Sequence, residues 1–314
     1  MARRNLVHRG VTRIPFTAGE APPTFGAPSG AADCHHHIYD DAFPPNARAV
    51  LRPEAATAPM YRRLRDHLGL SRSVIVQPST YGTDNRCLVD ALGQLGDAAR
   101  GVAVIDEMTS DDTLQELQLA GVRGIRFNLI RPAGATPQLL DALARRIAPI
   151  GWHVQIHAPA GRIADLSPLL AALPVPVVID HLGRFPQPDA TAHPAWPVIR
   201  RLVDGGRCWV KVSGAYHDTV AGAPNYEDTG GLTRAWFAAA PERLLWGTDW
   251  PHPAATAGEK QLPDDARLLD LLTLWAPSTR ALHRVLVDNP ATLYGFAAIA
   301  PPIAQSSTVT GNAP

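Results

Sequence analysis

From residue 31 onward, short apolar runs alternate with longer stretches whose apolar residues recur three or four positions apart. The apolar runs predict strands over 31–38, 73–77, 101–105, 122–127, 153–156, 175–179, 208–212 and 244–246. Helices are predicted between them over 58–67, 85–95, 109–120, 137–150, 164–173, 196–203 and 233–240, with 264–275, 278–287 and 290–296 closing the chain. Runs such as Val177-Val178-Ile179 show no polar alternation, as suits parallel strands covered on both faces. Eight strands, each followed by helix, predict an α/β fold of the (β/α)8 TIM-barrel type, with its active site at the C-terminal strand ends. The competing fold is an open doubly wound sheet. No Gly-rich phosphate loop follows the first strand, which counts against it.

The flanks read differently. Residues 1–30 are rich in Pro, Gly, Ala and Thr without apolar period, predicting an irregular leader. The barrel domain is assigned to 31–299, and 300–314 is expected to be a disordered tail. A chain of 314 residues is ordinary for one barrel with extensions. Lys+Arg and Asp+Glu balance at 29 each, which gives no reason to expect nucleic acid or an anionic membrane surface. No run of apolar residues is long enough for a membrane span. Arg3, Arg4 and Arg9 are not followed by the apolar stretch of a secretory signal. Cys34, Cys87 and Cys208 match no zinc spacing and make a poor disulfide framework, so a reducing, cytoplasmic setting is expected.

The strand ends hold the chemistry. In an extended strand, His35 and His37 of Asp33-Cys34-His35-His36-His37 point to one side and His36 to the other. Two adjacent imidazoles can ligate one divalent metal; a run of surface histidines is the plain alternative. The other strand ends carry Ser79, Arg126, Asn128, His157, His181 and Asp249. Taken singly, each histidine is explained as a hydrogen-bonded rim residue and Asp249 as a turn residue. Together, four histidines and an aspartate on one barrel face point to a metal or catalytic site.

Several motifs make the chain resemble the amidohydrolase superfamily, in the branch of the 2-pyrone-4,6-dicarboxylate lactonases and related lactone hydrolases and isomerases. They include Asp33 to His37, Gly121 to Asn128, Val178 to Arg184, Lys211 to Ser213, and Leu244 to Pro253 with its Trp-Gly-Thr-Asp-Trp-Pro run. The resemblance spans about residues 31–296. It implies a metal set of His35, His37, His157 and Asp249, whereas the 2-pyrone-4,6-dicarboxylate lactonase carries Tyr in place of His157 and needs no metal. Such a set suits one divalent ion, Zn²⁺ foremost, with Mn²⁺ or Fe²⁺ as alternatives.

The resemblance further implies lactone hydrolysis by a metal-activated water, in the breakdown of aromatic compounds. Asp249 takes the proton and His181 polarises the carbonyl; Arg126, Arg184 and Ser79 contact substrate. Two other arginine positions of the family are not retained: the register shifts near Arg131, and His217 stands where an Arg is expected. The expected substrate is therefore a different small anionic lactone, of muconolactone type and including sulfonated ones. Sugar-acid lactone isomerisation and metal-dependent decarboxylation are alternatives for the same pocket. A non-catalytic binding protein is the least favoured. Neither nucleic acid nor membrane is an expected partner, and homo-oligomerisation is left open.

Overall fold

The computed structural model describes residues 13–130 and 137–297. Eight strands pair in parallel in sequential order. They are β1 (Ala32–His36), β2 (Arg72–Val76), β3 (Ala99–Ala103), β4 (Val122–Asn128), β5 (His153–His157), β6 (Val177–Ile179), β7 (Cys208–Val212) and β8 (Leu244–Trp246). The chain beyond β8 returns to β1. There the Asp249 N–H donates to the His35 carbonyl and the His37 N–H to the Trp250 carbonyl, each at 2.7 Å. The predicted TIM barrel is observed. The tail expected over 300–314, Arg131 and residues 1–12 of the leader lie outside the described residues.

Two apolar layers hold the barrel. Cys34, Val74, Val76, Val102, Val178, Trp209 and Leu245 fill its interior, together with Tyr294 and Phe296 from the chain's last helical region. A larger layer lies between strands and helices. Each fully buried Val, Leu or Ile contributes about 1.5–3 kcal/mol. Residues 13–30 form no helix or strand. Their early part lies against the β8 end, where Trp250 Nε1 donates to the Pro15 carbonyl at 2.9 Å and Phe16 packs edge-on against the Trp250 ring, while the Thr24 and Phe25 N–H groups donate to the Asp270 carboxylate.

Most departures from the predicted elements have local causes. The helix expected over 233–240 spans Glu227–Ala239. Gly230-Gly231 reads as a break, but a Cβ at Gly230 would lie 2.4 Å from Trp275 Nε1, so this glycine permits close packing against helix Asp265–Trp275. The helix expected over 164–173 begins at Ala160, and β3 starts two residues before its predicted position. The helix expected over 278–287 is Thr279–His283 continued by a π-helical turn, Arg284–Asp288. Ser110 and Asp264 cap their helices by accepting from the Thr113 and Arg267 N–H groups, as capping residue types do.

Candidate active site

The site begins with an irregularity in β1. Simple alternation cannot place both Cys34 and His35 inward, yet Cys34 joins the interior cluster and His35 faces the mouth. The pairing of β1 with β2 shifts register between Asp33 and His36, and this bulge resets the side-chain phase. Asp33 braces it, accepting from the His35 N–H, the Thr248 N–H and hydroxyl, and the Tyr61 hydroxyl at 2.7–3.0 Å. His36 turns outward and stacks on Tyr61, with ring centroids 3.4 Å apart. The sequence-based placement of His35 and His37 on one side agrees with this geometry.

Asp249 is the hub. Its Oδ1 lies 3.5 Å from His35 Nε2, 3.4 Å from His37 Nε2 and 3.8 Å from His181 Nε2. Each ring is anchored by its other nitrogen. His37 Nδ1 donates to the Val76 carbonyl at 2.7 Å, and His181 Nδ1 pairs with the Ser213 hydroxyl at 2.9 Å. His35 Nδ1 lies 3.3 Å from Asp180 Oδ1 and 3.4 Å from Lys211 Nζ. On the other face of Asp249, Oδ2 accepts from the Tyr216 hydroxyl at 2.5 Å and lies 3.1 Å from His217 Nε2.

Protonation follows from burial and charge. Burial lowers His35 to about 3 and holds His157 and His181 well below the usual imidazole range, so these rings are neutral. Burial alone would raise Asp249, but the neighbouring imidazoles, His181 foremost, and hydrogen bonds from His217 and His37 hold it ionised well below its ordinary value. Asp180 is likewise held low against burial by His35, Lys211 and Arg126. Burial lowers Lys211 to about 8.

Neutral imidazoles around one ionised carboxylate are what a divalent metal requires. Tetrahedral zinc with bonds of about 2.0–2.1 Å sets its ligand atoms about 3.3 Å apart. The spacings of His35 and His37 Nε2 from Asp249 Oδ1 are close to this. His35 Nε2 is buried without a hydrogen-bond partner among the described residues. The residues present therefore fit a divalent ion at His35, His37 and Asp249. Further groupings of suitable spacing are His35, Asp180 and His181, and His181, His217 and Asp249.

His157 belongs to a second cluster beside the first. Its Nδ1 lies 3.2 Å from Arg126 Nη2 and its Nε2 2.9 Å from Arg184 Nη1. Arg184 spends Nε and Nη2 on Asp218 at 2.6 and 2.9 Å, and Arg126 leans on Asp180 at 3.4 Å. Ser79 opens the turn after β2 and lines the same cavity as Arg126, His157, His181, Arg184 and Asp249. Tyr39, Leu51, Pro78 and Pro253 give that cavity apolar wall. The sequence reading assigned no role to Tyr216, Asp180, Lys211 or Asp218. Asp180 and Lys211 stand inside motifs already noted, whereas nothing local marks Tyr216.

His181, Arg184 and Asp249 also adopt left-handed backbone, with φ of 50°, 50° and 68°. Such strain costs about 1–3 kcal/mol per residue and concentrates where side chains must be aimed at a site.

Comparison with known proteins gives the chain its family. The amidohydrolase family model matches residues 32–296. A 2-pyrone-4,6-dicarboxylate hydrolase of Comamonas testosteroni is 39% identical over 90% of this chain and 95% of its own. A 4-sulfomuconolactone hydrolase of Rhizobium radiobacter is 32% identical, and a D-galactarolactone isomerase of Agrobacterium fabrum is 34% identical, each over 88% of this chain and 94% of its own. An apo crystal structure from Agrobacterium tumefaciens superposes with a TM-score of 0.81 at 32% identity, covering 88% of this chain and 100% of that one. A match running from β1 to the last helix, carried by a barrel whose strand ends meet at Asp249, makes this chain a member of the amidohydrolase family.

Proposed function

We propose that this chain is a hydrolase that opens a small anionic lactone at the barrel mouth. The observation that carries the reading is an ionised, buried Asp249 in one cavity with two guanidinium groups. Asp249 Oδ1 serves as the base for the attacking water, and His181, its ring fixed by Ser213, donates from Nε2 to the carbonyl oxygen. The arginines supply the anion preference. A neutral imidazole has one lone pair, and both guanidinium groups can only donate, so His157 satisfies one of them. The other N–H remains for a carboxylate or sulfonate oxygen. Ser79 and His217 add to the polar lining, which also includes Asn128, Glu259 and Lys260, and the apolar wall accommodates a ring face.

One divalent ion, Zn²⁺ foremost with Mn²⁺ or Fe²⁺ as alternatives, would be held by His35, His37 and Asp249. When bound, such an ion would supply Lewis acidity for a carbonyl and lower the pKa of water toward ~7. His157, the expected further ligand, is engaged by Arg126 and Arg184 and would have to leave them to join.

Relatives named as pyrone-dicarboxylate and sulfomuconolactone hydrolases support ring opening of an anionic lactone. The isomerase relative favours a second reading, in which the same base moves a proton without consuming water. Metal analysis followed by a screen of anionic lactones, monitored by proton release, tests the proposal. Stoichiometric divalent metal and acid release from at least one lactone are expected. Protein without metal and indifferent to chelator contradicts the metal assignment, and no acid release from any lactone contradicts hydrolysis.

A further inference from the structure

Tyr216 has no part in the roles given above, yet it makes the shortest contact to Asp249. Its hydroxyl and His217 Nε2 both meet Oδ2, at 2.5 and 3.1 Å, while Oδ1 alone faces His35, His37 and His181. A carboxylate oxygen offers about two lone-pair directions, so these two groups saturate Oδ2.

The tyrosine is itself held rigidly. Its side chain is buried, its ring lies edge-on to His252 at 5.4 Å, and it packs on His217 at 4.4 Å. His252 is locked by Asp265 at 3.1 Å, and the Asp265 N–H donates to Thr17 Oγ1 in the leader. A phenolic hydroxyl is a donor at neutral pH, and Asp249 Oδ2 is the acceptor it meets.

We propose that Tyr216 is a positioning residue that, with His217, ties down Asp249 Oδ2 and leaves Oδ1 to take the proton. This rests on the lactone-opening reading. In that reaction the water oxygen bonds to the carbonyl carbon and its proton passes to Oδ1. The ring C–O bond then breaks, and the proton leaves Oδ1 for the departing ring oxygen. A carboxylate free to rotate would present either oxygen and lose the alignment that both transfers need.

Tyr216→Phe removes only the hydroxyl. Its kcat on the lactone opened by wild type should fall tenfold or more, with KM within twofold and thermal unfolding little changed. Its crystal structure should show the Asp249 carboxylate turned relative to wild type. A kcat within twofold of wild type, or an unmoved carboxylate, overturns the proposal. The structural readout needs no substrate, so it decides the matter even if no lactone is turned over. In wild-type protein the same bond predicts a low-field, slowly exchanging hydroxyl proton. Its absence overturns the proposal even where the variant does not fold.

Discussion

Asp249 combines a left-handed backbone, full burial and contacts with His35, His37, His181, His217 and Tyr216. Replacing it with Asn keeps the volume and removes the proposed base. The variant should fold normally and lose about 10²–10⁴-fold in kcat; full activity would remove the assignment. Gly214 tests the aim of the imidazoles. It has φ +60°, and a Cβ there would come within 2.5 Å of His217 Cδ2 and 2.7 Å of His181 Nδ1. Gly214→Ala should therefore cost about 1–3 kcal/mol in thermal unfolding and reduce kcat by a larger factor than that loss of folded protein explains. Unchanged kinetics would show that His181 and His217 need no fixed orientation. The roles of single residues were unevenly legible in the sequence. His35 and His37 could be paired because strand periodicity is local. The meeting of His157 with Arg126 and Arg184 could not, because it depends on how β4, β5 and the turn after β6 sit side by side. Tyr216 was invisible for the same reason: its partner lies beyond the next strand.

The seam between β1 and β8 is where an element's irregularity becomes function. Asp33 bridges the β1 bulge and the Thr248 turn, and a Cβ at Gly247 would come within 2.6 Å of His35 Cβ, so the two chain segments meet without slack. Asp33→Ala strands the buried His35 and Thr248 N–H groups and should destabilise by about 1–3 kcal/mol for each, measured by denaturant unfolding. Burial raises Asp33 from 3.8 to about 6. A raised folded value means that its contribution is fully present below about pH 4 and is lost as pH rises through about 6. The variant should lack that part of the pH dependence. His252, raised above its ordinary value mainly by Asp265 against the opposing effect of burial, acts in a higher window. Its stabilisation is complete below about 6.5 and is lost as pH climbs through its folded value. The stability difference between wild type and His252→Gln, measured by thermal unfolding, should thus shrink as pH rises from about 6 to 9, whatever the other groups contribute; a difference that stays constant would contradict the pairing. The order and type of the barrel strands could be read from their apolar runs. Helix starts such as Glu227 could not, because a glycine chosen for packing on Trp275 looks like a break.

Taken whole, the molecule places its ligand-rich residues at one end of a closed barrel and its apolar plug of Trp209, Tyr294 and Phe296 in the interior cluster. Among the described residues, no helix is long and apolar enough to cross a membrane. The barrel was legible from the alternation of runs because eight βα units leave few other topologies. Substrate identity was not, because it depends on side chains from separate loops meeting around one cavity. The two readings proposed for that cavity, hydrolysis and isomerisation, differ in whether water enters the product. Turnover of an anionic lactone in ¹⁸O-labelled water, followed by mass analysis, separates them. The account predicts one labelled oxygen in the new carboxylate of a ring-opened hydroxy acid. An isomerised lactone without label would contradict it.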